Sequence, residues 1–177
     1  MGERSDLRVP LRRVAVELGL SGQPARRVEL FLGEHRSHAW HRQEVVELLE
    51  GSRQFLPCIV PGAGGATLVN RDQIVWLAMA LSEGSSPSDD DLPDLDQLYD
   101  HRHHVTLRLI SGPAIEGALL YSAPIEHARL VDHVNQPGGF LSVHAGEKII
   151  MVRKSAVVEI VDAEASEAEL DRPGAAG

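Results

Sequence analysis

Leu68-Val69-Asn70-Arg71-Asp72-Gln73-Ile74-Val75-Trp76-Leu77 decides how the chain is read. Met151-Val152-Arg153-Lys154-Ser155-Ala156-Val157-Val158-Glu159-Ile160 repeats its succession of apolar and polar positions. Moving towards the N-terminus from each, Val46-Glu47-Leu48-Leu49 followed by Phe55-Leu56 corresponds to Val131-Asp132-His133-Val134 followed by Phe140-Leu141, at a constant offset and without a gap. Further out, Val14-Ala15-Val16-Glu17-Leu18 with Gly22 corresponds to Val105-Thr106-Leu107-Arg108-Leu109 with Gly112. Matching blocks in the same order are the signature of an internal repeat.

Within each copy the apolar residues alternate, the period of a half-buried strand. In the second copy Val105 to Ile110 reads as a strand, Ser111-Gly112-Pro113 as a turn and Ile115 to Tyr121 as the returning strand. The segment from His127 to Val134 reads as a short helix or an edge strand, and Gln136-Pro137-Gly138-Gly139 as a loop. Phe140 to Val143 is a strand, Ala145-Gly146-Glu147 a tight turn, and Lys148 to Val152 a strand continuing into Ala156 to Val161. About five short strands with turns every ~10 residues describe a small closed barrel, because closure protects edges that so small a sheet would expose. The first copy follows the same plan with a longer excursion at Gly33 to Gln43 and a more helical Glu44 to Leu49. The expected fold class is mainly β: two tandem small barrels, residues 9–81 and 101–161, with a short helix in each.

The second copy resembles the Sm-like small barrels of SH3-like type, the family of the Hfq-like RNA chaperones. Val105, Leu107, Leu109, Gly112, Ile115, Gly117 and Leu119 follow that family's first motif, and Ile150, Val152, Arg153, Val157 and Ile160 echo its second. The chain departs from the family in having Lys154 where glycine usually follows the arginine, and in lacking a first-copy equivalent of Gly117. The resemblance implies RNA contacts at Asn135 and Arg153, in a sequence where Asp132-His133-Val134-Asn135 is similar to the family's Asp-x-x-Met-Asn pattern. Lys154 and Arg71 would add charge to such a surface. In the first copy, Phe55-Leu56-Pro57 ahead of Leu68-Val69-Asn70-Arg71-Asp72 resembles bacterial proteins of no known function.

The 177 residues carry 17 basic and 26 acidic side chains, a net charge of -9 that argues at first sight against polyanionic partners. That charge is unevenly placed. Residues 82–100 hold seven acidic and no basic side chains, and residues 162–177 hold five acidic and one basic, which leaves the two copies close to neutral. These stretches, rich in Ser, Gly, Pro and Asp or in Ala and Glu, read as a flexible linker and a solvated tail. With Cys58 as the single cysteine, an intramolecular disulfide is impossible, and its apolar setting makes it a core residue. Met1 to Arg8 lacks the apolar region of a signal peptide, and no apolar run approaches membrane-spanning length. A soluble, cytoplasmic protein is expected.

Two histidine groups are the only candidates for metal chemistry. His35, His38 and His41 are spaced for one helix face, although Arg36 and Arg42 interleave with them; His101 and His103 alternate along a strand beside Asp100. Pro61-Gly62-Ala63-Gly64-Gly65-Ala66 lies between strands and has no helix N-terminus to hold phosphate. No nucleophile motif or dinucleotide fingerprint occurs, and no cofactor or small-molecule substrate is implied. The leading expectation is therefore a non-enzymatic protein-interaction or assembly module, its two barrels packed as a pseudo-dimer, with another protein or itself as partner. Trp40, Trp76 and Met79 are its candidate anchors, and pairing is expected between the strands at 55–60 and 140–143 and those at 68–77 and 151–161. An RNA-binding protein of the Sm type is the alternative, and a metal-dependent enzyme using the histidines a distant third.

Overall fold

The computed structural model describes residues 12–32, 41–81, 99–124 and 129–163. Residues 82–98 of the proposed linker, residues 164–177 of the proposed tail, His35, His38 and Trp40 lie outside the described residues, whereas Asp162, expected in the tail, ends the last strand. In the first copy the order is β1 (Arg12–Leu20), β2 (Arg26–Leu32), α1 (His41–Glu50), β3 (Phe55–Ile59), β4 (Ala66–Asn70), a 3-10 turn (Arg71–Gln73) and β5 (Ile74–Ala80). The second repeats it as β6 (His101–Leu109), β7 (Ile115–Tyr121), α2 (Leu130–Val134), β8 (Phe140–Ala145), β9 (Lys148–Arg153), a 3-10 turn (Lys154–Ala156) and β10 (Val157–Asp162). The protein is mainly β, and its strands form one ten-stranded antiparallel sheet in the order β10-β6-β7-β8-β9-β5-β1-β2-β3-β4. In each half the fifth strand lies beside the first.

Local chemistry explains the breaks in this pattern. The sequence suggests unbroken strands through 68–77 and 148–161, but a 3-10 turn interrupts each. The Asn70 carboxamide accepts a hydrogen bond from the Asp72 amide at 2.9 Å, the local side-chain bond that competes with a strand ladder. Arg71, Asp72 and Gln73 therefore sit in the turn rather than on a strand face. The front of the repeat also needs correcting by two residues. Leu20 pairs with Ile74 and Leu109 with Val157, so Leu18 is equivalent to Leu107 rather than to Leu109. A shift of two preserves which face each side chain takes, and for that reason alternation alone could not detect it.

Gly117 marks a close approach of two strands. A side chain there would put Cβ 2.5 Å from the His144 carbonyl oxygen and 2.7 Å from Val143 Cγ1, so its lack of one lets β7 and β8 approach.

Two cores lie along the sheet. The first gathers Val16, Leu18, Val28, Leu30, Val45, Leu56 and Ile74 with Leu77 and Met79, and also takes Ile149 and Met151 from the second copy. The second gathers Val105, Leu107, Leu119, Leu141, Val143 and Val152, and takes Val75, Trp76 and Ala78 from the first. Each central strand thus feeds both cores, and neither core is complete from one copy's residues. Trp76 and Met79, expected as exposed anchors, are buried because the faces of β5 pack into the cores, Trp76 in the second and Met79 in the first.

Candidate functional site

The copies meet where β5 pairs with β9, in the register Trp76↔Val152, Leu77↔Met151, Ala78↔Ile150, Met79↔Ile149 and Ala80↔Lys148. These residues fall inside the 68–77 and 151–161 segments expected to pair, or directly beside them, whereas the strands at 55–60 and 140–143 pair only with strands of their own copies. Polar contacts clamp both ends of the seam. Arg153 Nε donates to the Ile74 carbonyl at 2.7 Å and its Nη2 to the Arg71 carbonyl, while its guanidinium lies over the Phe140 ring, 4.6 Å from the centroid. Burial pulls this guanidinium's pKa down, as does Arg71, against the opposing effect of Asp72 and Glu50. At the end of α1, Glu50 Oε1 accepts from the amides of Gly139 at 2.7 Å and Phe140 at 3.1 Å. Lys148 reaches Glu17 at 3.8 Å, and the Leu81 amide donates to the Glu147 carbonyl at 2.9 Å.

The residues that the Sm resemblance singled out are engaged within the fold, two of them at the seam and two within the second copy. Arg153 and Arg71 are brought together, but through a guanidinium bonded to backbone carbonyls. Lys154 Nζ donates to the Gln136 carbonyl at 2.6 Å, and Arg71 pairs with Asp72 at 3.3 Å. The Asn135 amide donates to the Val131 carbonyl at 2.9 Å, closing the C-terminus of α2. As placed, these groups serve the turns and the seam.

Three histidines of the second copy converge on one aromatic ring. His133 stacks on Tyr121 with centroids 4.1 Å apart and planes 5° apart. His101 and His103, side by side on one face of β6 as alternation requires, lie 5.2 and 5.8 Å from the same ring. His103 Nδ1 meets Asp162 Oδ2 at 3.0 Å, and His101 Nε2 approaches the Ala123 carbonyl at 3.3 Å. Burial lowers the pKa of His133, and the positive charge of Lys154 and of His103 adds to the effect. Sequence reasoning passes over His133, whose signal is an imidazole at an otherwise apolar position of α2. Among the described residues no group of three His, Cys, Asp or Glu side chains is placed to hold a metal ion. His41 opens α1, with its side chain outside the described set. The Cys58 thiol is buried, which raises its pKa against the opposing effect of Arg26.

The ends of the sheet form the remaining candidate surface. Among the described residues, no strand lies beyond β10 or β4. Both edges carry exposed apolar side chains: Val158 (69%) and Val161 (40%) on β10, Leu68 (67%) on β4 and Phe55 (51%) on neighbouring β3. Their counterparts inside the sheet are covered. Val75 and Val158 are the extra residues of matching β-bulges, skipped in the pairing of β5 with β1 and of β10 with β6. The repeat then equates Ala78 with Val161, Met151 with Leu68 and Phe140 with Phe55. Val75, Ala78 and Met151 are all buried in the seam. No helix among the described residues is long and apolar enough to cross a membrane. No known protein family, curated protein or solved structure matches the chain.

Proposed function

We propose that this chain is a non-enzymatic assembly module, built from two small Sm-like barrels joined by an acidic linker, that recruits protein by strand addition at its outer edges. One observation carries this reading: the apolar side chains exposed on β10 and β4 occupy positions that are buried in the β5–β9 seam. Strand addition satisfies unpaired edge amides and carbonyls through the main chain and takes its selectivity from alternate side chains. The exposed residues on β10 and β4 are side chains of that kind. A photo-crosslinking residue placed at Val158 or Leu68 should give protein adducts in cells, while the same residue at Glu116 on interior strand β7 should not. Adducts at neither edge above the Glu116 background would overturn the reading.

A further inference from the structure

We infer that one end of the second barrel is a proton-operated latch, in which charging His133 frees α2 from Tyr121 while the equivalent end of the first barrel stays closed. The latch is independent of what binds at the sheet edges. Four positions distinguish the two copies here. The strand registers equate His103 with Val14, Tyr121 with Leu32 and Asp162 with Met79, and the repeat equates His133 with Leu48. Val14, Leu32 and Met79 are buried in the first core, and Leu48 packs against it. In the second copy these apolar side chains are replaced together by a linked series of titratable groups, Asp162 bonded to His103, His103 beside Tyr121 and Tyr121 stacked on His133.

The replacement holds the end closed while His133 is neutral. Its ring lies flat on Tyr121, and its Nδ1 is buried without a hydrogen-bond partner. Around the Tyr121 phenol of β7 stand His101 and His103 of β6, with Asp162 at the end of β10 behind His103 and Lys154 in the turn after β9; the adjacent charge on α2 itself is Asp132. Lys154 and a charged His103 both oppose a proton on His133, and Asp162 is bonded to His103 instead. A charged imidazole at this position therefore faces like charge across a buried ring.

The helix is built to yield before the sheet does. It has five residues with none buried and no side-chain bond at its N-cap, whereas α1 has ten residues and buries Val45 and Leu49. Beyond the stack it is held by the partly buried Leu130 and Val134 and by Lys154 Nζ on the Gln136 carbonyl. Elements with few buried contacts open locally at a lower cost than global unfolding. Because the closed form disfavours the proton and the open form binds it near the ordinary value of 6.5, closure is strongest above about pH 6.5 and weakens as pH falls from there. Opening uncovers the Tyr121 ring and the side of the second core that Leu130 and Val134 cover.

Amide exchange in the full-length protein, resolved by NMR and corrected for the intrinsic effect of pH, tests the latch. Between pH 7.5 and pH 5.5 exchange in α2 should accelerate roughly tenfold relative to α1, the factor by which a proton bound only in the open form favours opening one pH unit below its ordinary value. His133→Leu, which restores the first copy's residue, should keep the ratio of the two helices constant. An unchanged ratio in the parent overturns the inference. Equal acceleration in both helices also overturns it, because the whole sheet would then be unfolding, as does the same change of ratio in His133→Leu. The parent's own two helices supply the first comparison, so a His133→Leu chain that fails to fold leaves it decisive.

Discussion

Gly19 and Trp76 face each other across the β1–β5 ladder, and the indole fills the space a side chain at Gly19 would need: a Cβ there would lie 2.1 Å from Nε1. Gly19 thus admits the tryptophan that the first copy contributes to the second core. Gly19→Ala must drive the indole off its site, and overpacking of this kind costs about 1–3 kcal/mol. Gly64→Ala is the control, because its added methyl group would meet nothing within 4 Å, and it should stay within ~0.5 kcal/mol of the parent. Urea unfolding followed by tryptophan fluorescence measures both. Equal midpoints for the two variants would show that Trp76 is not held against Gly19.

Arg153 tests the seam through its polar contacts. The guanidinium spans two carbonyls of the other copy from above an aromatic ring, a geometry that an ammonium group cannot reproduce. Arg153→Lys should therefore lose most of what Arg153→Ala loses, about 1–3 kcal/mol for a charge-assisted pair. If Arg153 served instead as a point charge for an anionic ligand, the lysine variant would keep its stability and only the ligand would be lost.

Much of the fold is legible in the sequence because the signal is periodic and repeated. Alternation along Val14 to Leu18 and Val105 to Leu109 identifies strands, and the late blocks 68–77 and 151–160 are structurally equivalent residue for residue. The limits have physical causes. A strand's period of two cannot distinguish a register from one displaced by two residues, and so alternation matches the first block to the wrong partner. The turns at Arg71 and Lys154 interrupt runs of apparently continuous strand, the first closed by the Asn70 side chain and the second by backbone bonds alone. For the site, residue type misleads: Trp76 and Met79 have the chemistry of surface anchors, but the β9 neighbour that buries them comes from the far half of the chain. The edges become recognisable only once each exposed residue is set beside its buried counterpart.

Sharing of strands between cores makes a distant effect measurable. Met151 belongs to the second copy but packs in the first core, so Met151→Ala should cost about 2–5 kcal/mol, and its loss should be felt in the first copy. Hydrogen exchange is expected to accelerate at the amides of β1 and β5 as well as at β9. Accelerated exchange confined to residues of the second copy would mean that the halves are energetically separate. A fragment holding only residues 101–163 tests the same coupling, since it lacks Val75, Trp76 and Ala78 from its core and should be less stable than the same segment within the chain.

His133 gives the molecule a pH dependence whose sign follows from its surroundings. Its face stacks on Tyr121, Lys154 and His103 lie close enough to oppose a positive charge, and its Nδ1 is buried without a hydrogen-bond partner. The folded state therefore disfavours protonation, while the unfolded chain binds the proton near the ordinary value of 6.5. Because the folded pKa is depressed, stability from neutral His133 is complete above about pH 6.5 and is lost as pH falls from there through the folded value. His133→Phe keeps a ring on Tyr121 but removes the titration. Melting temperatures of the two proteins should differ by a constant amount at pH 7.5 and above, and below pH 6.5 the parent should fall faster than the variant. Parallel curves across that range would show that His133 is as easily protonated in the fold as outside it.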